Sequence, residues 1–310
     1  MSFSTGDIKR RLRSIGSTRK ITKAMELVSS VKMRKATNAV VSSRPYTDLA
    51  WEMLLNLSKR TDSAKHPLLR KTSPATKVAV IVVSTNRGFV GPMNSQLLAT
   101  VNTFLKSLEG TEVAPSTVLL GTKARALRTM FGHEVFAEFP KEDLITDARQ
   151  IRPVAKLAID GFRAGDYDRV MIAYVHYYSS LSQRPRLRQI LPLDATAVER
   201  GYEGIFERGE REAMMKEEVK DEKVFEYTFE PNPDDVLEIL LPRLVESQIY
   251  RAILETNASE HAARMLSMRN ASDAASELID DLTLTFNQVR QAAITQDLSE
   301  ISASRAALEG

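Results

Sequence analysis

One stretch of the sequence has the position of a phosphate-binding loop. Residues 86–92 (NRGFVGP) follow a predicted buried strand and precede a predicted helix, which is where such loops occur. The stretch lacks the third glycine of a dinucleotide-binding loop and the Gly-Lys-Ser/Thr of a nucleoside triphosphate loop. Pro92 also removes an amide donor that a phosphate group would need. The stretch is therefore better explained as a tight turn between a strand and a helix.

The other residue types that perform chemistry form no catalytic pattern. The chain contains no cysteine, which excludes disulfides, thiol catalysis and cysteine-based zinc sites. No Gly-x-Ser-x-Gly motif presents a nucleophile. The histidines show no metal-ligand spacing: His66, His133, His176 and His261. We therefore predict no catalytic residue, no cofactor and no metal site.

The strongest charge signal is a basic block near the start of the chain. Between Asp7 and Arg44 there are eleven basic and two acidic residues, a net charge of +9, whereas the whole chain of 310 residues carries +3. Such a block indicates an anionic partner, although a solvated helix face has the same composition. Nucleic acid is disfavoured, because an apolar stripe interrupts the basic residues and no aromatic residues are interleaved for base stacking.

The block lies on a predicted long helix. Asp7 is a suitable N-cap, and Ile8, Leu12 and Ile15 begin an apolar pattern at helical spacing that Ile21, Met25 and Val28 resume. The pattern continues past Pro45, so we predict one long, kinked helix ending near Lys59. A polar linker follows, over residues 60–76.

The middle of the chain alternates between strands and helices. Residues 77–84 (KVAVIVVS) form a continuous β-branched run, typical of a strand buried on both faces of a parallel sheet. Further strands are predicted at 116–120, 133–139, 169–177 and 187–193, the last antiparallel, with helices at 94–108, 123–130 and 146–164. This order predicts a three-layer, Rossmann-like α/β domain over residues 77–232. Residues 199–223 are highly charged and predict an exposed insertion, and residues 224–229 could add an edge strand.

A second long helix is predicted over residues 233–310. Apolar residues recur there at steps of four and three, which indicates a stripe facing a partner helix: Leu278, Leu282, Phe286, Val289 and Ala293. Pro242 either begins this helix or kinks it. Small residues in the centre, six alanines between Ala258 and Ala275, favour a tight helix pair. The simplest architecture is an antiparallel coiled coil of residues 1–59 and 233–310 with the α/β domain between them.

Long motifs at the two ends resemble the γ subunit of F-type ATP synthase. At the start they are residues 8–15 (IKRRLRSI), 18–28 (TRKITKAMELV) and 32–36 (KMRKA). At the end they are residues 246–250 (ESQIY), 258–265 (ASEHAARM) and 290–301 (RQAAITQDLSEI). The turn after the first strand departs from the family's Ser-Thr-Asp-Arg-Gly-Leu-Cys-Gly-Gly at Asn86, Phe89, Val90 and Pro92.

The resemblance implies a noncatalytic rotor shaft. Its expected partners are three α and three β subunits around the helices, and the ε subunit and the c-subunit ring at the α/β domain. Catalysis then belongs to the β subunits, which make ATP from ADP when ion flow turns the shaft. The implied location is peripheral, on the cytoplasmic face of a bacterial plasma membrane, with membrane contact only through the complex. The longest apolar run, residues 78–83, is too short to span a bilayer.

The resemblance also implies contact residues for the β subunits. Arg290 and Gln291 correspond to shaft residues that hydrogen-bond to a loop of β, with Thr295 and Asp297 nearby. Met25 is similar to a methionine that faces an acidic segment of β, and Lys20 and Lys23 suit that acidic partner. The apolar tip, residues 301–308, is consistent with a bearing surface, although a frayed terminus has the same composition.

Two other functions stay open at this point. The first is a free-standing α/β enzyme or nucleotide-binding protein with helical extensions, which turnover or tight nucleotide binding by the purified chain would reveal. The second is a generic coiled-coil scaffold, in which Arg290 and Gln291 would not affect ATP turnover in a complex.

Overall fold

A computed structural model describes residues 5–58, 66–144, 147–193, 230 and 232–309. The predicted insertion at 199–223, the predicted edge strand at 224–229 and the predicted helix end at Lys59 lie outside these residues. Five α-helices and five strands are described: α1 (Thr5–Ser58), β1 (Lys77–Val83), α2 (Met93–Leu108), β2 (Ala114–Leu120), α3 (Ala126–Phe131), β3 (Val135–Phe139), α4 (Arg152–Ala164), β4 (Arg169–Tyr177), β5 (Gln183–Leu191) and α5 (Pro233–Glu309).

The five strands form one mixed sheet in the order β3-β2-β1-β4-β5. The first four run parallel, and β5 pairs with β4 in the antiparallel direction. In register, Ile81 of β1 lies beside Val118 of β2 on one side and Ile172 of β4 on the other. The predicted strands and the antiparallel direction of the last one are confirmed, with β5 starting at Gln183 rather than at residue 187.

Both faces of the sheet are covered by helices, because successive side chains of a strand point to opposite faces. On one face, α2 packs over three valines of β1: Val78, Val80 and Val82. On the other face, the next residues of β1 pack with α4 and with parts of α1 and α5: Ala79, Ile81 and Val83. The continuous apolar run of β1 therefore serves two cores, as a central parallel strand requires.

The chain divides into two compact units, residues 1–31 with 264–310 and residues 32–263. In the larger unit, the hydroxyl oxygens of Thr47 and Ser247 lie 2.9 Å apart and join α1 to α5. In the smaller unit, the low-numbered part of α1 is grouped with the high-numbered part of α5. The two helices therefore run antiparallel, as predicted. The predicted domain limits follow the helix ends, whereas these units cut across both long helices.

Both long helices continue through an internal proline. Pro45 lies inside α1 and Pro242 lies inside α5, which begins nine residues earlier at Pro233. The alternative that α5 begins at Pro242 is therefore wrong. At about 1.5 Å per residue, the 77 residues of α5 extend for about 115 Å.

The buried stripe of the helix pair differs from the one predicted. Ile8 is buried as expected, but Ile21 and Val28 are 60% and 55% exposed, and Thr22 and Ser29 are buried instead. On α5, Leu282, Phe286 and Val289 are half-buried, whereas Leu278 and Ala293 are exposed, so the prediction is wrong at these two positions. A straight helix drifts by about 20° per heptad from a strict seven-residue repeat, so the inward face leaves the apolar stripe. Several of the buried side chains in the smaller unit are small: Thr22, Ser29, Ser272 and Ala275.

Candidate functional site

The outward face of α1 in the smaller unit carries large apolar side chains. Ile21, Leu27, Val28 and Val31 are each more than half exposed within this chain. Single exposed apolar residues are ordinary, but a group of four within eleven residues of one helix marks a protein-interaction surface. Their helical spacing predicted that Ile21 and Val28 face the partner helix, so this exposed surface differs from the prediction.

The predicted N-terminal contact residues lie in the same part of α1. Lys20 and Lys23 are exposed, and the ammonium group of Lys23 lies 2.9 Å from the carboxylate of Glu26 one turn further on. Met25 is half-buried, between the packed residues Thr22 and Ser29. This region combines exposed apolar groups with exposed cations, an arrangement that fits an acidic protein surface with apolar residues of its own.

The predicted C-terminal contact residues lie on α5. Arg290, Gln291, Thr295 and Asp297 are all exposed. The hydroxyl of Thr295 donates to the carbonyl of Gln291 at 2.9 Å, a bond within the helix. In the described part of the chain, no ion pair engages Arg290 or Asp297. Their charged groups are therefore available to another protein.

Exposed apolar residues lie between these polar ones. Ile294, Leu298 and Ile301 are each at least half exposed and recur at steps of four and three, which puts them on one side of α5. The predicted bearing surface at the apolar tip begins at Ile301, and the side chains from residue 306 onward lie outside the described set. Apolar residues outside the inward stripe are the sequence signal for such a surface.

The two groups of predicted contact residues lie on different helices, and we call them the α1 patch and the α5 patch. Lys20 to Met25 covers about 7.5 Å of α1, and Arg290 to Asp297 covers about 10.5 Å of α5. Across the described ranges, no hydrogen bond or ion pair joins one patch to the other. Each patch therefore has to be tested separately.

The turn after β1, which had the position of a phosphate loop, is occupied by bonds within the protein. The hydroxyl of Thr85 donates to the carbonyl of Arg87 at 2.7 Å. The side-chain amide of Asn86 donates to the carbonyl of Lys141 at 2.5 Å and its oxygen accepts from the backbone amide of Thr122. These bonds fix the segment as a structural strand-to-helix turn.

Each histidine has a hydrogen-bond partner within the protein. The partners are Glu238 for His66, Asn102 for His133, Glu255 for His176 and the carbonyl of Asp143 for His261. Among residues 5–58, 66–144, 147–193 and 232–309, no three His, Asp or Glu side chains are grouped as a metal ion would require. None of the helices in these ranges is both long and apolar enough to cross a bilayer.

The sequence matches one protein family over nearly its whole length. The profile described as ATP synthase matches residues 4–308. The chain is 38% identical to the ATP synthase gamma chain of Herpetosiphon aurantiacus, over 98% of this chain and 99% of that one. It is 37% identical to the ATP synthase gamma chain of Chloroflexus aurantiacus, with the same coverage.

Solved structures share the fold. A chain of the Euglena gracilis mitochondrial ATP synthase F1/c-ring structure superposes with a TM-score of 0.63 at 18% identity, covering 98% of this chain and 94% of that one. A chain of the central stalk and c-ring of the Tetrahymena thermophila enzyme gives 0.58 at 20% identity, covering 81% and 99%. By fold, the chain is of the class that combines two long antiparallel helices with an α/β domain. It belongs to the γ-chain family of ATP synthases.

Proposed function

We propose that this chain is the noncatalytic central shaft of an F-type ATP synthase. The observation that supports this function is the helix pair, whose exposed faces in the smaller unit carry apolar and charged residues, whereas small side chains such as Thr22, Ser29 and Ala275 are buried there. Such faces need a surrounding partner. A ring of three α and three β subunits supplies one, and rotation of the shaft within it changes the state of each β subunit in turn.

The two patches supply the residues that we assign to the contact with the β subunits. We assign Lys20, Lys23 and Met25 to an acidic segment of β, because exposed ammonium groups favour an acidic face and steer its approach. We assign Arg290 and Gln291 to a loop of β, with Thr295 and Asp297 beside them. All four of these α5 side chains are exposed. They can therefore leave one β subunit and contact the next as the shaft turns.

The α/β domain is then the part that receives the rotation. We assign it contacts with the ε subunit and the c-subunit ring, so that the chain reaches the membrane only through the complex. The bacterial relatives support a location at the cytoplasmic face of the plasma membrane. The order of events is ion flow, rotation of the domain, rotation of the helix pair, and ATP formation on β.

The test is reconstitution with the matching α and β subunits. Since the chain contains no cysteine, Lys106→Cys on the exposed side of α2 provides a single attachment point for a rotation probe. We expect stepwise rotation that depends on ATP hydrolysis, and no ATP turnover by the purified chain alone. A complex that hydrolyses ATP with the chain bound but without rotation would contradict the shaft function. Turnover by the isolated chain would favour the enzyme alternative.

A further inference from the structure

The loop that follows β3, residues 140–144, is held by several side chains, and we name it the clamp loop. Its first tie is Lys141, whose ammonium group lies 2.7 Å from the carboxylate of Glu260 on α5. Both side chains are only 1% exposed. A buried ion pair of this kind resists displacement strongly, because separating the partners leaves an uncompensated charge in the protein interior.

The second tie of the clamp loop reaches the other long helix. The carboxylate of Asp143 accepts from the ammonium group of Lys32 on α1 at 2.9 Å. This hydrogen bond is the main reason why the pKa of Asp143 lies below its ordinary value, and the electrostatic effects of His261 and Arg87 act in the same direction. The carboxyl group is therefore ionised at neutral pH, and the bond to α1 is an ion pair.

Backbone atoms of the clamp loop are held as well. The carbonyl of Asp143 lies 3.1 Å from the ring nitrogen Nε2 of His261 on α5. The carbonyl of Lys141 accepts from the side-chain amide of Asn86 in the turn after β1. A loop of five residues is thus bonded to α1, to α5 and to the carboxyl edge of the sheet, all within the larger compact unit.

Bonds of this kind differ mechanically from the apolar packing around them. Burial of apolar surface is non-directional and opposes separation more than sliding. Charge-assisted hydrogen bonds have short, defined geometries, so they fix the position of one element along and around another. The clamp loop therefore fixes the positions of α1 and α5 relative to the sheet within the larger unit.

We propose that the clamp loop transmits torque between the α/β domain and both shaft helices, with Lys32, Lys141, Asp143 and Glu260 as its positioning residues. This inference rests on the proposed shaft function. When a load acts on the domain, the two ion pairs keep both helices turning with it. Without them, the helices yield and part of each rotation is lost before it reaches the β subunits.

The test uses the Lys32–Asp143 pair, since its side chains are 33% and 31% exposed and tolerate change better than the buried pair. Asp143→Asn and Lys32→Met each break the pair in the complete ion-pumping complex. We expect near-normal ATP hydrolysis, but ions pumped per ATP reduced by about threefold, the order of effect expected for an ion pair that is about one-third exposed. The probe on residue 106 should also show wider angular fluctuation at each dwell.

Three controls separate positioning from stability. Lys32→Arg keeps the charge, and the reversal Lys32→Asp with Asp143→Lys restores a pair, so both should pump close to the unmodified level. Arg125→Met removes an exposed pair of similar length, the 2.7 Å contact of Arg125 with Glu138 on β3, and should pump normally. Thermal unfolding of each purified chain reports whether any variant fails to fold.

The outcomes distinguish the clamp from the shaft function. Rotation of the unmodified complex without any loss of coupling in Asp143→Asn and Lys32→Met would overturn the clamp and leave the shaft function in place. Loss of coupling that the reversed pair does not restore would also overturn it. Absence of rotation in the unmodified complex would contradict the shaft function itself.

Discussion

Thr47 on α1 and Ser247 on α5 place their hydroxyl oxygens 2.9 Å apart, although 200 positions separate them in the sequence. Thr47 is buried, and its hydroxyl also donates to the carbonyl of Ser43 on its own helix. The pair fixes the register of the two long helices inside the larger unit. A polar contact at a helix interface of this kind has one favourable alignment, whereas apolar contacts have several.

We expect Ser247→Ala to destabilise the isolated chain by about 1 kcal/mol, the usual net value of one hydrogen bond. Thr47→Val should cost more, because it also loses the bond to Ser43. A double-mutant cycle measured by urea unfolding should give a coupling energy of about 0.5–1 kcal/mol. Ser42→Ala, an exposed serine on the same helix, is the control. A coupling energy of zero would show that the hydroxyls do not interact in solution.

Gly121, which follows β2, has a backbone φ of +90°. A Cβ atom there would lie 2.5 Å from the carbonyl oxygen of Ser84, a backbone atom that cannot easily move. We therefore expect Gly121→Ala to lower the free energy of unfolding by about 1–3 kcal/mol or more.

Gly16→Ala should have the opposite sign. Gly16 lies within α1, a Cβ atom there meets nothing within 4 Å, and alanine raises helix propensity by about 1 kcal/mol. Urea unfolding of both variants checks the pair of predictions. Equal effects in the two variants would contradict the conformational argument.

We expect the chain to lose stability in acid because of the hydrogen bonds that Asp168 accepts. Its carboxylate accepts from the backbone amides of Thr76 and Lys77 and from the hydroxyl of Thr76, at 2.8–3.1 Å. These bonds, first among them that from the Thr76 amide, lower the pKa of Asp168. Because the folded-state pKa is depressed, the stabilisation is complete above the unfolded-state pKa of about 3.9 and is lost as the pH falls through the folded-state value.

The measurement for Asp168 is urea unfolding at a series of pH values. The difference in free energy of unfolding between the unmodified chain and Asp168→Asn should be largest above about pH 5 and shrink as the pH drops below about 4. A difference that stays constant over this range would mean that the carboxylate charge does not contribute.

For the α5 patch, we expect Arg290→Ala with Gln291→Ala to weaken coupling between ATP hydrolysis and rotation. Both side chains are exposed, so the isolated chain should remain folded with an unchanged midpoint of thermal unfolding. The matched control is Arg128→Ala with Thr129→Ala, two consecutive exposed residues on α3. Torque and hydrolysis are measured in the reconstituted complex. Normal coupling in the Arg290 and Gln291 variant would remove these residues from the contact.

For the α1 patch, we expect Lys20→Glu with Lys23→Glu to slow assembly with α and β, most strongly at low ionic strength, where charges on exposed groups act over longer distances. Lys106→Glu with Lys156→Glu makes the same change in net charge on exposed positions of the α/β domain. Assembly rates at two salt concentrations compare the variants. Equal slowing in both would indicate a net-charge effect rather than a local contact.

The sheet could be predicted from the sequence because its signals are local. The run from Lys77 to Val83 is apolar and β-branched, and a central parallel strand needs those residues on both faces. The antiparallel direction of β5 followed from the short connection to β4. Neither inference needed any knowledge of distant residues.

The clamp loop and the inward stripe could not be predicted in this way. Lys141 and Glu260 are 119 positions apart, and each looks like an ordinary surface charge in its own segment. In the helix pair, Thr22 and Ser29 are buried because they are small, whereas the larger Ile21 and Val28 point outward. Close approach of two helices requires small side chains at the contact, whether or not they are apolar. A search for apolar residues alone therefore identifies the wrong face of the helix. The residues of the two patches were predicted from the family resemblance alone. Their exposure could be seen only in the structure.

Along α5, one uninterrupted helix passes from complete burial to complete exposure. Every residue from Arg251 to Ala263 is buried, whereas every residue from Arg290 to Arg305 is exposed within this chain. We expect amide protons in the first stretch to exchange with solvent deuterium only through large-scale opening of the larger unit, and those in the second to exchange through local opening. The rate of amide hydrogen exchange should therefore be low at residues 251–263 and high at residues 290–305 of the same helix. Slower exchange at residues 290–305 in the proposed complex would show how much of this stretch is covered by partner subunits.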